Sequence, residues 1–378
     1  MTDINYLTRI VFDDGAIGRL GALCAELGIS RALLVTDPGI VRAGLVDRAL
    51  EPLGARKAAV FDQTPSNPTE AAVLAALAVY QEADCDGIVA LGGGSSIDLA
   101  KAVALLAMHE PPLARYAAIE GGIARIVRPT APLIAVPTTA GTGSEVGRAA
   151  LVTMGDGRKL GIISPRMIPD IALCDPALTL GLPAGLTAAT GMDALTHCIE
   201  TFLSPRVNPP ADAIALDGAA RAMSWIERAV AEGGDAQARW HMMMASLQGG
   251  LCFQKGLGAV HSMSHPLGGL SEPVLHHGTL NAVILPAVLR HNAGHVGDKY
   301  ARLAGAMGLP ADADLAEAIA ALNDRLGLPP SLRAMGVPEM VLPRMVDGAV
   351  ADHSTATNPR PLDRADFEHL FAESMGEP

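Results

Sequence analysis

Hydrophobic and polar positions along the chain follow two different rhythms. In the first half, short apolar runs alternate with longer stretches of helical spacing, which is the pattern of a parallel sheet covered by helices. The runs predict strands over residues 32–36, 58–61, 87–91 and 133–137, with further extended pieces near 150–153 and 171–174. Helical spacing falls between them on 17–27, 70–82 and 96–108. After about Leu182 the strand pattern stops, and Ala/Leu/Met-rich segments over 186–202, 211–231, 236–253, 282–291 and 315–326 each suit a helix. Asp175-Pro176, Gly181 and Pro183 mark the seam. The expected organisation is an α/β domain over residues 1–182 followed by an all-α helical domain over 183–378. No internal repeat or low-complexity tract interrupts it.

Composition narrows the classes of function. The 378 residues are 49% hydrophobic, and acidic side chains outnumber basic ones to give a net charge of −12. A surface of that sign is poorly suited to neutralising a phosphate backbone, so nucleic acid is not expected as a partner. No stretch approaches the roughly 18 apolar residues of a membrane helix, and the first residues carry no apolar signal segment, so a soluble cytoplasmic protein without a membrane partner is expected. The five cysteines form no CxxC pair and sit mostly in apolar company, as buried thiols in a reducing compartment do. Two Trp, four Tyr and six Phe are too few to favour recognition by aromatic stacking.

Chemistry enters at a glycine run. The predicted strand 87–91 is followed by Gly92-Gly93-Gly94-Ser95-Ser96 and then by helical spacing. Glycine allows close approach of a phosphate, and a helix N-terminus aims free N–H groups at an anion. The run is not GxGxxG, and a tight strand-to-helix turn with a Ser N-cap accounts for it as well. Asp37, at the end of another strand, can accept hydrogen bonds from an adenosine ribose and repel a 2′-phosphate, which favours NAD over NADP; the alternative is a turn-forming Asp before Pro38. The loop from Pro137 to Glu145, with Thr138, Thr139 and Thr142, offers hydroxyls for cofactor contacts or is a plain Gly/Thr loop.

Histidine placement is more informative. Of 11 histidines only His109 precedes residue 190, and seven fall between His241 and His295. Asp193 and His197 are four apart in an apolar helical stretch, so both project from one face that is expected to be interior. A buried carboxylate beside a buried imidazole is costly without a partner charge, and a divalent cation supplies one. His261 and His265 form a second i, i+4 pair, and His276-His277-Gly278 follows. One carboxylate with several imidazoles and no Cys suits Fe²⁺ or Zn²⁺ better than Mg²⁺ or Ca²⁺. Each histidine taken singly is also explained as a hydrogen-bonded core or surface residue.

Taken in order, GGGSSIDLAKAV (92–103), PTTAGTGSEV (137–146), GLTAATGMDALTHCIE (185–200), GLGAVHSMSHPLGG (256–269), HHGTLNAVILPAVLRHN (276–292) and Asn358-Pro359-Arg360 resemble the iron-containing (group III) alcohol dehydrogenases, relatives of dehydroquinate synthase and glycerol dehydrogenase. The resemblance implies a dehydroquinate synthase-like architecture, with a Rossmann-like NAD(P)-binding domain, a helical metal-binding domain and a cleft between them. It implies metal ligands Asp193, His197, His261 and His277, and a non-ligating active-site His265 suited to proton relay. Asp37, Asn67, Gly93, Gly94, Ser95, Thr138, Thr139, Thr142 and Lys159 would line the cofactor. The implied reaction is reversible hydride transfer between nicotinamide and a primary alcohol or aldehyde, with NAD and Fe²⁺ (alternatively Zn²⁺), in a homodimer.

Four positions depart from the commoner family pattern: Gly147, Gln254, Lys255 and His276. Lys255 together with Arg148 is read as a receiver for an anionic substrate, tilting the reading toward an ω-hydroxy acid and its semialdehyde. The competing readings are a zinc-dependent, glycerol-type polyol dehydrogenase and a non-catalytic nucleotide-binding regulatory module.

Overall fold

The computed structural model describes residues 8–54, 57–270 and 272–376, with the backbone alone at Lys57. They separate into two compact units. One comprises residues 8–139 and Gly143–Gly181; the other comprises Ala140–Thr142 and residues 182–376.

The first unit is built on a six-stranded sheet in the order β1-β8-β5-β4-β2-β3, where β1 is Arg9–Phe12, β2 Arg31–Val35, β3 Lys57–Phe61, β4 Gly87–Gly92, β5 Leu133–Pro137 and β8 Ile171–Cys174. All its pairings are parallel, with Leu34 opposite Val89 and Leu91 opposite Val136. Parallel strands are covered on both faces, which is why these runs lack a polar alternate. Leu33, Val35, Ile88, Ala90, Leu133 and Ala135 enter one core, whereas Leu34, Val89, Leu91, Ile134 and Val136 enter the other. Helices α1 (Leu20–Glu26), α2 (Pro38–Arg42), α3 (Leu45–Leu50), α4 (Glu70–Glu82) and α5 (Gly94–Leu106) supply the cover.

Two features of this unit differ from expectation. The segment expected as one helix from Ile17 begins as a 3₁₀ turn, Ala16–Arg19, before α1. The extended piece near 150–153 is not in the main sheet: β6 (Ala149–Thr153) pairs antiparallel with β7 (Lys159–Ile163) as a separate hairpin. Its alternating burial places Ala150, Val152 and Ile162 against the core on one face.

The second unit is helical. Its long members are α6 (Ala184–Leu203), α7 (Pro209–Ala231), α8 (Ala236–Cys252) and α10 (His277–Asn292), joined by α9 (Ala259–Gly268), α11 (Lys299–Ala306), α12 (Leu315–Arg325), α13 (Leu342–Ala351) and α14 (Arg364–Ser374). Every residue of α6 from Thr187 to Leu203 is buried. Such a helix needs its last carbonyls satisfied by the protein itself. Lys255 donates to the carbonyls of Thr201 and Phe202, and Lys299 to those of Leu203 and Ser204. Among the described residues, no helix is long and apolar enough to cross a membrane.

Candidate metal and dinucleotide sites

The helical unit gathers four side chains at one point. Asp193 and His197 project from the same face of α6, His261 comes from the first turn of α9, and His277 is the first residue of α10. Asp193 Oδ1 lies 3.8 Å from His197 Nε2, 4.0 Å from His261 Nε2 and 3.7 Å from His277 Nε2. These separations approach the roughly 3.4 Å between ligand atoms of a tetrahedral site with bonds near 2.1 Å. Asp193, His197 and His261 are buried, and His277 is partly exposed.

The donor chemistry fits a divalent ion. Asn281 Nδ2 is 2.7 Å from Asp193 Oδ1, 3.3 Å from His261 Nε2 and 3.1 Å from His277 Nε2, so one amide faces three acceptor atoms. Among the described residues, Asn281 Oδ1 and His197 Nδ1 are buried without a hydrogen-bond partner. Burial, reinforced by the neighbouring His197 and His265, pushes the His261 imidazole well below the ordinary histidine range. Burial thus favours its neutral form, the form that ligates a metal.

Glu200 is a site residue that the sequence reading quoted within a motif but assigned no role. It follows Asp193 by seven positions and His197 by three, which returns it to the same face of α6. Its carboxylate meets His261 Nδ1 at 2.5 Å and accepts the Val260 N–H at 2.8 Å. Burial pushes its carboxyl up to about 7, opposed by the N–H groups of Val260 and Gly258. The i, i+4, i+7 spacing of Asp193, His197 and Glu200 was the available signal.

His265 stands beside the four. Its Nδ1 is 2.8 Å from Asp352 Oδ2, and its ring stacks on His277 at 5.7 Å and on His353 at 5.8 Å. Burial works against charge on Asp352, but the charge and hydrogen bond of His265 outweigh it and hold the carboxyl well below the usual range. Asp352 and His353 lie far from His265 in sequence, and neither was anticipated.

Lys255 corrects an expectation. It is fully buried, donates to Thr201 and Phe202 and pairs with Asp212 at the start of α7. Its charge is committed to the C-terminus of α6, and it cannot receive a substrate carboxylate. Arg148 lies half-buried just ahead of β6, where its carbonyl accepts the Ser164 N–H.

In the sheet unit, Asp37, Gly93, Gly94, Ser95, Thr138 and Thr139 lie just beyond the carboxyl ends of β2, β4 and β5, whereas Asn67 follows β3 and Lys159 opens β7. The chain passes from β2 outward to β3 and then crosses back to β4 on the other side of β2, so β2 and β4 flank a topological switch point where open α/β sheets bind ligands. Gly92 ends β4, and Gly93 is the N-cap of α5 with no side-chain cap, so the first N–H groups of α5 are left for an anion. The N-cap is thus Gly93 rather than a serine. A Cβ at Gly92 would come within 2.5 Å of Ser96 Oγ, and one at Gly93 within 3.2 Å of Thr139 Oγ1.

Asp37 has two partners. Its Oδ1 caps α2 by accepting the N–H groups of Gly39 and Ile40, whereas Oδ2 is 3.3 Å from Ser96 Oγ beside the glycine run. Ser95 donates to the Ser66 carbonyl, and Lys159 Nζ donates to Asn67 Oδ1 at 2.9 Å. Burial lowers the Lys159 ammonium against the pull of Asp98. Thr138 follows β5, its N–H bonded to the Gly92 carbonyl and its buried hydroxyl without a partner among the described residues. Gly94 opens α5. Thr142 belongs to the segment grouped with the helical unit.

The loop after β5 is anchored by a buried ionic group whose role the sequence reading missed. Lys101 of α5 donates to Ser144 Oγ and to the carbonyls of Gly147 and Ala149, and Ser144 donates to Asp98. Burial lowers Lys101 to about 8 and raises Glu145 to about 7.

The profile described as iron-containing alcohol dehydrogenase matches residues 8–176, and that of the Fe-containing alcohol dehydrogenase family C-terminal region matches residues 187–375. The chain is 57% identical to 4-hydroxybutyrate dehydrogenase of Cupriavidus necator, covering 99% of this chain and 100% of that one. It is 39% identical to 1,3-propanediol dehydrogenase of Klebsiella pneumoniae, over 96% of each. A crystal structure of 1,3-propanediol oxidoreductase superposes with a TM-score of 0.93 at 39% identity, covering 99% of this chain and 100% of that one. A nicotinamide cofactor and a divalent metal accompany an alcohol or aldehyde substrate in such enzymes. The chain belongs to the iron-containing alcohol dehydrogenase family and is an oxidoreductase acting on CH–OH groups.

Proposed function

We propose that the chain interconverts 4-hydroxybutyrate and its semialdehyde with NAD(H), using Fe²⁺ held by Asp193, His197, His261 and His277. The observation that carries the metal assignment is the approach of three imidazole nitrogens to within 3.7–4.0 Å of Asp193 Oδ1 inside the helical unit. Similarity to 4-hydroxybutyrate dehydrogenase across the whole chain supports the substrate. It replaces the argument from Lys255.

When bound, the metal supplies Lewis acidity at the substrate oxygen, and the nicotinamide supplies or accepts hydride. The protein's own residues then position and exclude. Asp37 Oδ2 accepts a ribose hydroxyl. Gly93, Gly94 and Ser95 admit the pyrophosphate to the start of α5, while Thr138, Thr139, Thr142, Asn67 and Lys159 line the rest of the dinucleotide. His265 carries the proton: Asp352 occupies its Nδ1, which leaves Nε2 to exchange with the reacting oxygen. His353, stacked on His265 and more than half exposed, offers the way to solvent.

The test is NADH oxidation by metal-free protein reloaded separately with Fe²⁺ and Zn²⁺, offered succinic semialdehyde and butanal. The expected outcome is metal-dependent turnover with succinic semialdehyde ahead of butanal by at least about tenfold in kcat/KM, or about 1.4 kcal/mol. Equal rates would remove the ω-hydroxy acid from the reading. Higher activity with Zn²⁺ would assign zinc in place of iron.

A further inference from the structure

We infer that Glu200 is a positioning residue that fixes the ring orientation and tautomer of His261, so that one face of α6 supplies two metal ligands and the residue that aims a third. The inference rests on the metal site proposed above and adds a residue to it.

Glu200 acts on α9 at two points. Helix α9 begins at Ala259 with Gly258 as N-cap and no side-chain cap of its own. Its first N–H groups are claimed from elsewhere: Asn358 Oδ1 accepts the Ala259 N–H at 3.1 Å and Glu200 Oε1 accepts the Val260 N–H at 2.8 Å. A Cβ at position 258 would lie 2.8 Å from Asn358 Oδ1 and 2.9 Å from Glu200 Oε1, so glycine there clears the path for both. The second carboxylate oxygen, Oε2, faces His261 Nδ1 at 2.5 Å.

An ionised carboxylate only accepts, so the ionised Glu200 whose Oε2 faces the ring holds the His261 proton on Nδ1. That leaves the Nε2 lone pair facing Asp193, where a metal would be held. Partners of this kind orient ligating histidines and raise their basicity, and their loss commonly costs about 10–100-fold in metal affinity. Because Oε1 is tied to the backbone one residue before His261, the carboxylate also fixes the register of α9 against α6. Rotation of α9 and rotation of the imidazole are restrained by the same side chain.

Glu200→Gln separates this role from simple helix capping. A glutamine has one carbonyl oxygen for two donors, the Val260 N–H and the His261 Nδ1–H. Satisfying the backbone turns its NH₂ toward His261 and favours the tautomer whose Nε2 is blocked by hydrogen. The measurement is Zn²⁺ affinity by competition with a chromogenic chelator, with the Co²⁺ absorption spectrum as a second readout. Asn358→Ala is the comparison, because it removes the other cap of α9 and leaves the His261 partner in place.

The expected result is 1:1 binding by the wild-type protein, a 10–100-fold loss and an altered Co²⁺ spectrum in Glu200→Gln, and affinity within about threefold of wild type in Asn358→Ala. Glu200→Gln within threefold of wild type would overturn the inference and leave the metal site standing. So would an equal loss in both variants, which would reduce Glu200 to a cap. Failure of the wild type to bind Zn²⁺ or Co²⁺ would instead remove the metal site on which the inference rests. If Glu200→Gln does not fold, ¹⁵N chemical shifts of His261 in the Zn²⁺-loaded wild type decide: Nδ1–H with Nε2 bound supports the inference, and coordination through Nδ1 overturns it.

Discussion

Asp37 caps a helix and is proposed to hold a ribose with the same carboxylate, and the two roles can be separated by substitution. Oδ1 caps α2, and Oδ2 faces the glycine run where an adenosine ribose is proposed to sit. Serine is as good an N-cap as aspartate, so Asp37→Ser keeps the first function within a few tenths of a kcal/mol while removing the charge. Its kcat/KM ratio for NADP over NAD is expected to rise by at least about tenfold, near 1.4 kcal/mol, with little change in Tm. An unchanged ratio would leave Asp37 with only its capping role. Lys255 shows the opposite lesson at the same scale. In the sequence it looked like a free cation at a position where the family usually differs, but a fully buried ammonium shared by two helix-end carbonyls and Asp212 has nothing left for a ligand. What a lysine neutralises is set by long-range packing, which neighbouring sequence does not record. The anionic substrate remains a proposal on other grounds.

Elements were legible where periodicity and length agreed. Helix α4 spans Glu70–Glu82, the predicted range, and β5 and β8 have the predicted bounds. The four-residue β1 was missed because, among the described residues, it pairs only with β8 at the sheet edge and buries only Val11, too weak a pattern to stand out. Helices α9, α11, α13 and α14 are short, and α9 carries Pro266 within it, which obscured its pattern. The face shared by Asp193 and His197 was readable from i, i+4 spacing, but the approach of α9 and α10 depends on close contacts that no local pattern reveals. Gly278 is one of these. A Cβ there would lie 2.2 Å from the Ala189 carbonyl oxygen and 3.2 Å from Asp193 Cβ, so glycine lets the start of α10 rest on the backbone of α6 and brings His277 to Asp193. Gly278→Ala is expected to cost about 1–3 kcal/mol, since the obstructing atoms are backbone, and to weaken Zn²⁺ binding by at least about tenfold. Gly185→Ala, at an exposed position of α6 with open space around the added methyl, should be neutral or stabilising by up to about 1 kcal/mol. Equal metal affinity in Gly278→Ala, by chelator competition, would show that α10 holds His277 in place without that contact.

At the scale of the molecule, the proposed metal ligands belong to the helical unit, whereas Asp37, Asn67, Gly93, Gly94, Ser95, Thr138, Thr139 and Lys159 belong to the sheet unit. Each unit has buried apolar side chains of its own, and the two cores of the sheet unit draw no residue from the helices beyond Leu182. Removal of the metal should therefore act unequally. A ligand held 1,000-fold above its Kd stabilises the state that binds it by about 4 kcal/mol, and roughly 2–4 °C of Tm accompanies each kcal/mol in a domain of 150–250 residues. Chelation is then expected to abolish turnover and lower the thermal transition of the helical unit by about 8–16 °C. NAD affinity, followed by quenching of tryptophan or by calorimetry on the intact chelated protein, should stay within a few-fold, because the carboxylate, glycine run and hydroxyls proposed to hold the dinucleotide are set by the parallel sheet and not by the four ligands. Re-addition of Fe²⁺ should restore both turnover and Tm. Loss of NAD binding in parallel with the metal would mean that the helical unit holds the dinucleotide as strongly as the sheet does, and the division of labour argued from the two sets of residues would fail.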